Sequence, residues 1–167
     1  METIAAHFLD QSACQLRDHF LPRIREAVDR LDDEQVWDRP NTACNSVGNL
    51  LLHLAGNVRQ HVVAGFGGAR DVRDRPSEFA ATGGLTKAEL LERLTRTVNE
   101  ACAALGSFDP TRLLEKGLIQ GKEVIFLDDL YHVVEHFSYH TGQIILLVKA
   151  RTGRGFPWYQ HLEPGPK

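Results

Sequence analysis

Between residues 127 and 151 the chain keeps a helical beat. Leu130, Val133, Phe137, Ile144 and Val148 return at helix-compatible intervals, and His132, His136 and His140 stand at every fourth position among them. An apolar stripe with a 3.6-residue period is an amphipathic helix that must bury one face, and residues four apart on it lie one turn from each other. Imidazole is the commonest protein ligand for zinc, nickel or iron at neutral pH, so two such histidines can point at one atom. This one segment predicts both a helical fold and a metal site.

Three further stretches carry the same period. In residues 4–31, Phe8, Leu16, Phe20, Ile24, Val28 and Leu31 alternate with charged residues, and the pattern breaks at residues 32–41, where Pro40 bars a helix. Asn45 or Ser46 is a plausible N-cap for a second helix through Leu50, Leu54, Val58 and Val62, stopping at Gly65 to Gly68. Thr86 with Glu89 is a capping-box pair opening a third helix over residues 87–105, with Gly106 as its terminator. The fourth helix, residues 127–151, has Lys149 and Arg151 in its last turn and Gly153 beyond. Residues 69–84 are polar and read as a loop, while residues 113–126 read as a short hairpin about Gln120 and Gly121 or as an irregular lead into the last helix. Four helices of comparable length give an all-α four-helix bundle, one domain over residues 1–167. The aromatic tail Gly155, Phe156, Pro157, Trp158 and Tyr159 is expected to pack over one end of the bundle or against another subunit.

Composition removes several classes of function. A net charge of -3 gives no electrostatic reason for nucleic-acid binding. Cys14, Cys44 and Cys102 are three, widely spaced and without a Cys-x-x-Cys pair, which argues against a disulfide framework and a thiolate zinc site. No run reaches the length of a membrane span, and the first residues lack a basic and apolar leader, so the chain reads as cytoplasmic. There is no phosphate-binding glycine motif and no Ser-His-Asp arrangement, and no cysteine lies near a motif.

A helical wheel separates the histidines. With His136 at zero and about 100° per residue, the apolar arc of the fourth helix spans roughly 60–120°. On that wheel His140 falls at about 40°, His136 borders the arc and His132 lies about 40° outside it. His136 and His140 are the inward pair and His132 is a flank residue, either exposed or a contact for substrate. A cation held by two side chains is weakly bound, so a third ligand is expected from the second helix, which offers His53 and His61. Periodicity divides evenly between those two. Asp129, near 20° on the same wheel, is a candidate to orient a ligand imidazole. Asn57 and Gln143 neighbour the candidate ligands, His61 reads as a packed core histidine with a general base as the lesser alternative, and Arg70, Arg73, Arg75, Asp71 and Asp74 read as a solvated mixed-charge loop, with contact to an anionic thiol or substrate as the lesser alternative.

The pairing of Asn45-Ser46-Val47-Gly48-Asn49-Leu50-Leu51-Leu52-His53-Leu54-Ala55-Gly56-Asn57 with Glu135-His136-Phe137-Ser138-Tyr139-His140-Thr141-Gly142-Gln143-Ile144 resembles the DinB-like (DinB/YfiT-like) superfamily, in a branch of small uncharacterised proteins. Both motifs match in order and separation, and the implied bundle covers nearly the whole chain. The resemblance implies a divalent metal, commonly zinc or nickel, with iron or manganese as further choices, held by His53, His136 and His140. It thereby chooses His53 over His61. It also implies a homodimer and either a thiol-dependent S-transferase or isomerase, using a low-molecular-weight thiol and a small electrophile, or a metal-assisted hydrolase. The rival expectation is a non-enzymatic, stress-related binding or structural module with a vestigial metal site.

Overall fold

Local caps set where the long helices begin. The computed structural model describes residues 3–158. Thr3 caps α1 (Ile4–Cys14) by accepting from the Ala6 amide, and the helix continues through a π-helical stretch, Gln15–Phe20, into α2 (Leu21–Val28). Ser46 opens α3 (Val47–Val58) with a capping box whose return arm is Asn49, and α3 also runs on through a π-helical stretch, Arg59–Ala64. The Thr86 and Glu89 box opens α5 (Lys87–Ser107) as expected, and α6 (Phe126–Thr152) ends on Gly153 in the left-handed region at φ 66°. Each π stretch inserts a wider turn, which shifts every later side chain off the simple helical wheel.

The four rods form the expected all-α bundle, α3 packing on α5 and α6 and the first rod packing on the same two. Leu16, Ile24, Leu50, Leu54, Leu94, Leu130, Phe137 and Ile144 fill its core. In α3 every residue except Gly56 is buried, so it is the central element and is apolar nearly all round. Two glycines let neighbours approach it. A Cβ on Gly48 would meet the Trp37 ring at 2.7 Å, and one on Gly56 would meet Glu78 Oε1 at 1.9 Å.

Residues 69–84 correct the expectation of a plain loop. They contain α4 (Arg75–Ala80), capped by Asp74 and started by a proline in its first turn, and too short to show a hydrophobic period. Asn49, fully buried, donates to the carbonyl oxygens of Glu78 and Ala81, at 2.9 and 2.7 Å, and so ties α4 to α3. Gly106 lies inside the last turn of α5 rather than ending it. The hairpin before the last helix is present: β1 (Lys116–Ile119) pairs antiparallel with β2 (Lys122–Ile125), Ile119 opposite Lys122, with Gln120 and Gly121 at φ 55° and 72° in the turn. Phe156 and Trp158 stack on each other at 4.3 Å, the Arg23 guanidinium of α2 lies 5.5 Å over Trp158 and that of Arg30, just past α2, 3.7 Å over Phe156, so this part of the tail folds against α2 and its end. Tyr159 is outside the described residues. Among the described residues no helix is long and apolar enough to cross a membrane.

Candidate metal centre

His53 from α3 and His136 and His140 from α6 converge. The Nε2 of His136 stands 3.1 Å from the Nε2 of His53 and 3.1 Å from the Nε2 of His140, and the three ligand atoms all lie within 4.8 Å of one another. Nitrogens about 2.0–2.1 Å from a tetrahedral zinc stand about 3.3–3.4 Å apart, close to that spacing. His53 is buried, whereas His136 and His140 are half-buried on the side of α6, so the centre reaches solvent there.

The partners behind the rings fix the tautomers. His53 Nδ1 is 2.9 Å from Glu78 Oε2, and His140 Nδ1 is 2.7 Å from Gln143 Oε1. A carboxylate and an amide oxygen only accept, so His140 carries its proton on Nδ1 and turns a bare Nε2 lone pair inward; His53 does the same, since the Arg73 Nη2 that also stands 3.1 Å from its Nδ1 directs its donor to the Glu78 carboxylate at 2.9 Å. His136 has one proton to offer. Placed on Nε2 it serves one of two facing lone pairs; placed on Nδ1 it leaves three lone pairs together, and His136 Nδ1 is buried with no partner. Extra protonation does not resolve the conflict, because burial, then the neighbouring His140, His53, His132 and Arg73, lower the His136 pKa to about 3. A cation accepts all three lone pairs at once, so the residues fit a divalent metal.

Glu78 and Arg73 complete the centre, and sequence reasoning missed both. Arg73 donates through Nε to Glu78 Oε1 at 2.7 Å and through Nη2 to Oε2 at 2.9 Å, with its side chain 4% exposed and that of Glu78 8%. Burial raises the Glu78 pKa, but the hydrogen bonds from His53 and Arg73 outweigh it and hold the carboxyl below its usual range. Arg73, expected in a solvated loop, is therefore a buried brace. One sequence signal pointed this way: Gly56, a glycine inside an apolar helix one turn after His53, marks a close approach.

The remaining candidates divide. Asp129 does not orient a ligand imidazole; it accepts from His61 Nδ1 at 2.9 Å. His132 is a flank residue with 52% of its side chain exposed, its ring 5.5 Å from that of His136. His61 is buried but lies away from the convergence point. Gln143 supports His140, and Asn57 is buried with its Oδ1 unpartnered.

Acid should weaken the metal-free protein through this cluster. His136 and His140 are both shifted down, chiefly by burial, so below the unfolded-state value of 6.5 the unfolded chain takes up protons that the native cluster refuses. Stability is full above that value and falls as pH drops from 6.5 towards 3, with a ceiling of about 1.4 kcal/mol per pH unit for each histidine that solvent at the half-buried rings reduces. Urea unfolding in EDTA from pH 7.5 to 5 should show a falling midpoint at constant slope; a flat midpoint refutes the assignment.

The bundle has the fold of solved DinB-like proteins, and three histidines from two of its rods converge on a candidate metal centre. The solved structures similar to it agree on the fold: a conserved protein from Enterococcus faecalis at TM-score 0.70 and 18% identity, covering 86% of this chain and 96% of its own. DinB-like proteins from Bacillus cereus, at TM-score 0.64, 14% identity, 83% and 91% coverage, and from Bacillus subtilis, at 0.64, 18%, 87% and 97%, are also similar. No curated protein matches. The chain belongs to the DUF1572 family, described as proteins of unknown function, whose model matches residues 3–160.

Proposed function

We propose that this protein binds one divalent cation, zinc or nickel, through His53, His136 and His140, and uses it as the centre of an enzyme acting on a small substrate. The observation that carries the reading is the convergence of three imidazole Nε2 atoms, that of His136 standing 3.1 Å from each of the other two, with the Nδ1 of His136 buried and without a partner. The cation supplies Lewis-acid activation of a water or a thiol at a position left free by three ligands. The chain's own residues hold that position: Glu78 and Gln143 lock the rings of His53 and His140, and the half-buried α6 side admits the second reactant. The activity is either thiol-dependent transfer or isomerisation, with a low-molecular-weight thiol and a small electrophile, or metal-assisted hydrolysis; a cytoplasmic homodimer is part of the proposal.

The test begins with untagged protein, in which zinc, nickel, iron and manganese are measured against protein. About one equivalent of a divalent metal, lost on dialysis against chelator, is expected. The loaded protein is then incubated with an electrophile with and without a panel of thiols, and with simple esters. Thiol-dependent consumption supports transfer, ester cleavage without thiol supports hydrolysis, and absence of any bound metal overturns the reading.

A further inference from the structure

We propose that the buried pair His61 and Asp129 is a second functional site, a general base for the O–H, N–H or S–H group of a substrate whose other end reaches the histidine triad, with Gln120 of the hairpin holding its place in the resting protein. The proposal rests on the reading of the triad as a metal centre and gives its substrate a shape and a polarity.

The chemistry starts from the carboxylate. His61 Nδ1 lies 2.9 and 3.1 Å from the two oxygens of Asp129, and the residues are 6% and 7% exposed. Asp129 only accepts, so the ring proton sits on Nδ1 and Nε2 presents a lone pair. An imidazole so oriented, with an anion behind it to stabilise the imidazolium, has the arrangement a general base needs. Nε2 takes the proton of a substrate X–H group, X keeps the bonding electron pair, and the proton leaves later to product or solvent.

The partner of Nε2 is what separates this pair from a packed core histidine. Gln120 Nε2 donates to it at 3.0 Å and also to Gln60 Oε1 at 2.6 Å. Gln120 is exposed, at the tip of a two-stranded hairpin, and holds φ 55°, a conformation uncommon outside glycine. A ligand that displaces one exposed amide therefore gains a buried base. His61 and Gln60 both sit in the π-helical stretch Arg59–Ala64, whose wider turn departs from the α-helical register.

A second observation also points to a ligand. Asn57 lies one turn after His53 and one turn before His61, is 4% exposed, and has an Oδ1 with no hydrogen-bond partner. Between His53 and His61 on this helix there is thus an unmet buried acceptor, one turn from the residue whose lone pair is held by a removable donor. It suits a molecule that brings hydrogen-bond donors. Eight residues of helix separate His61 from His53, about 12 Å of rise, so the dyad serves the far end of an extended substrate and not a group bound at the triad.

Two measurements on the full chain test this. Diethyl pyrocarbonate acylates neutral imidazole nitrogens, and peptide mapping reads each histidine separately. In Gln120→Ala, an exposed change, His61 should react about tenfold faster than in the wild type, the worth of the hydrogen bond removed from Nε2. In zinc-loaded protein, glutathione, which carries amine and amide donors several bonds from its sulfur, should shift the His61 ring resonances, and 2-mercaptoethanol should shift only those of the triad. The proposal is overturned if His61 stays unreactive in Gln120→Ala while exposed His132 is acylated, or if glutathione moves the triad signals and leaves His61 unmoved. If zinc moves no triad signal, the metal reading fails instead, and the acylation result alone then decides the dyad.

Discussion

His136→Leu is expected to abolish stoichiometric metal binding while leaving the metal-free protein as stable as before, or more stable. With metal the native state gains the free energy of a ligand that the unfolded chain lacks: about 4 kcal/mol at a thousand times Kd. For a chain of this length each kcal/mol moves Tm by about 2–4 °C, so saturating metal should raise the wild-type Tm by about 8–16 °C. Leucine leaves two imidazoles, and the rise should disappear. Without metal the sign changes, because His136 brings a buried Nδ1 with no partner and an Nε2 pressed at 3.1 Å against two lone pairs. Replacing an unsatisfied polar group by an apolar one of similar size removes a desolvation cost of about 1–3 kcal/mol, which offsets the lost packing. Calorimetry of both proteins, with zinc and with EDTA, measures the two effects separately. A Tm rise that survives in His136→Leu means that the cation is held elsewhere.

That opposition of signs follows from a site assembled between helices, and only part of it was legible in the sequence. The ladder on α6 predicted two inward histidines and one flank histidine, and the structure places His136, His140 and His132 accordingly. Caps were equally readable, since Ser46, Thr86 and Gly153 act through bonds to residues a few positions away. The choice between His53 and His61 was not readable from periodicity. A wheel records the angle about the axis and discards height along it, and both residues are buried. What distinguishes them is level: His53 stands opposite His136 and His140, whereas His61 stands opposite Asp129 and His132, nearer the start of the antiparallel α6. The same loss of height misassigned Asp129, which shares a face with His136 but lies two turns away and meets His61. The resemblance of the two motifs to DinB-like proteins supplied the level that the period could not.

Glu78 and Arg73 were hidden for a different reason. Nothing periodic marks them, because α4 is six residues long and is held by Asn49 at its back and by the space above Gly56. Their burial together is a tertiary outcome. A polar, charge-rich segment is ordinarily solvated, and only the fit of a carboxylate over a glycine on α3 turns this one inward.

Glu78→Ala is therefore expected to damage stability and metal binding together. Arg73 would keep a buried guanidinium without its carboxylate, at about 3–5 kcal/mol. His53 would lose the acceptor that holds its proton on Nδ1, which should weaken metal affinity about 10- to 100-fold. The two losses can be told apart. In Arg73→Met with Glu78→Ala both charges are gone, so stability in EDTA should recover most of the loss, since the pair acts as a unit. Zinc affinity should stay weak in the double variant, because His53 Nδ1 still lacks its partner. Gly56→Ala approaches the same carboxylate from the other side: its Cβ would sit 1.9 Å from Glu78 Oε1, so the carboxylate must move and zinc affinity should fall with the Glu78 side chain still present. Urea unfolding in EDTA and zinc competition against a chromophoric chelator measure the two quantities separately. Zinc affinity unchanged in Glu78→Ala would mean that His53 needs no carboxylate behind it, and that the buried ion pair serves the packing of α4 alone.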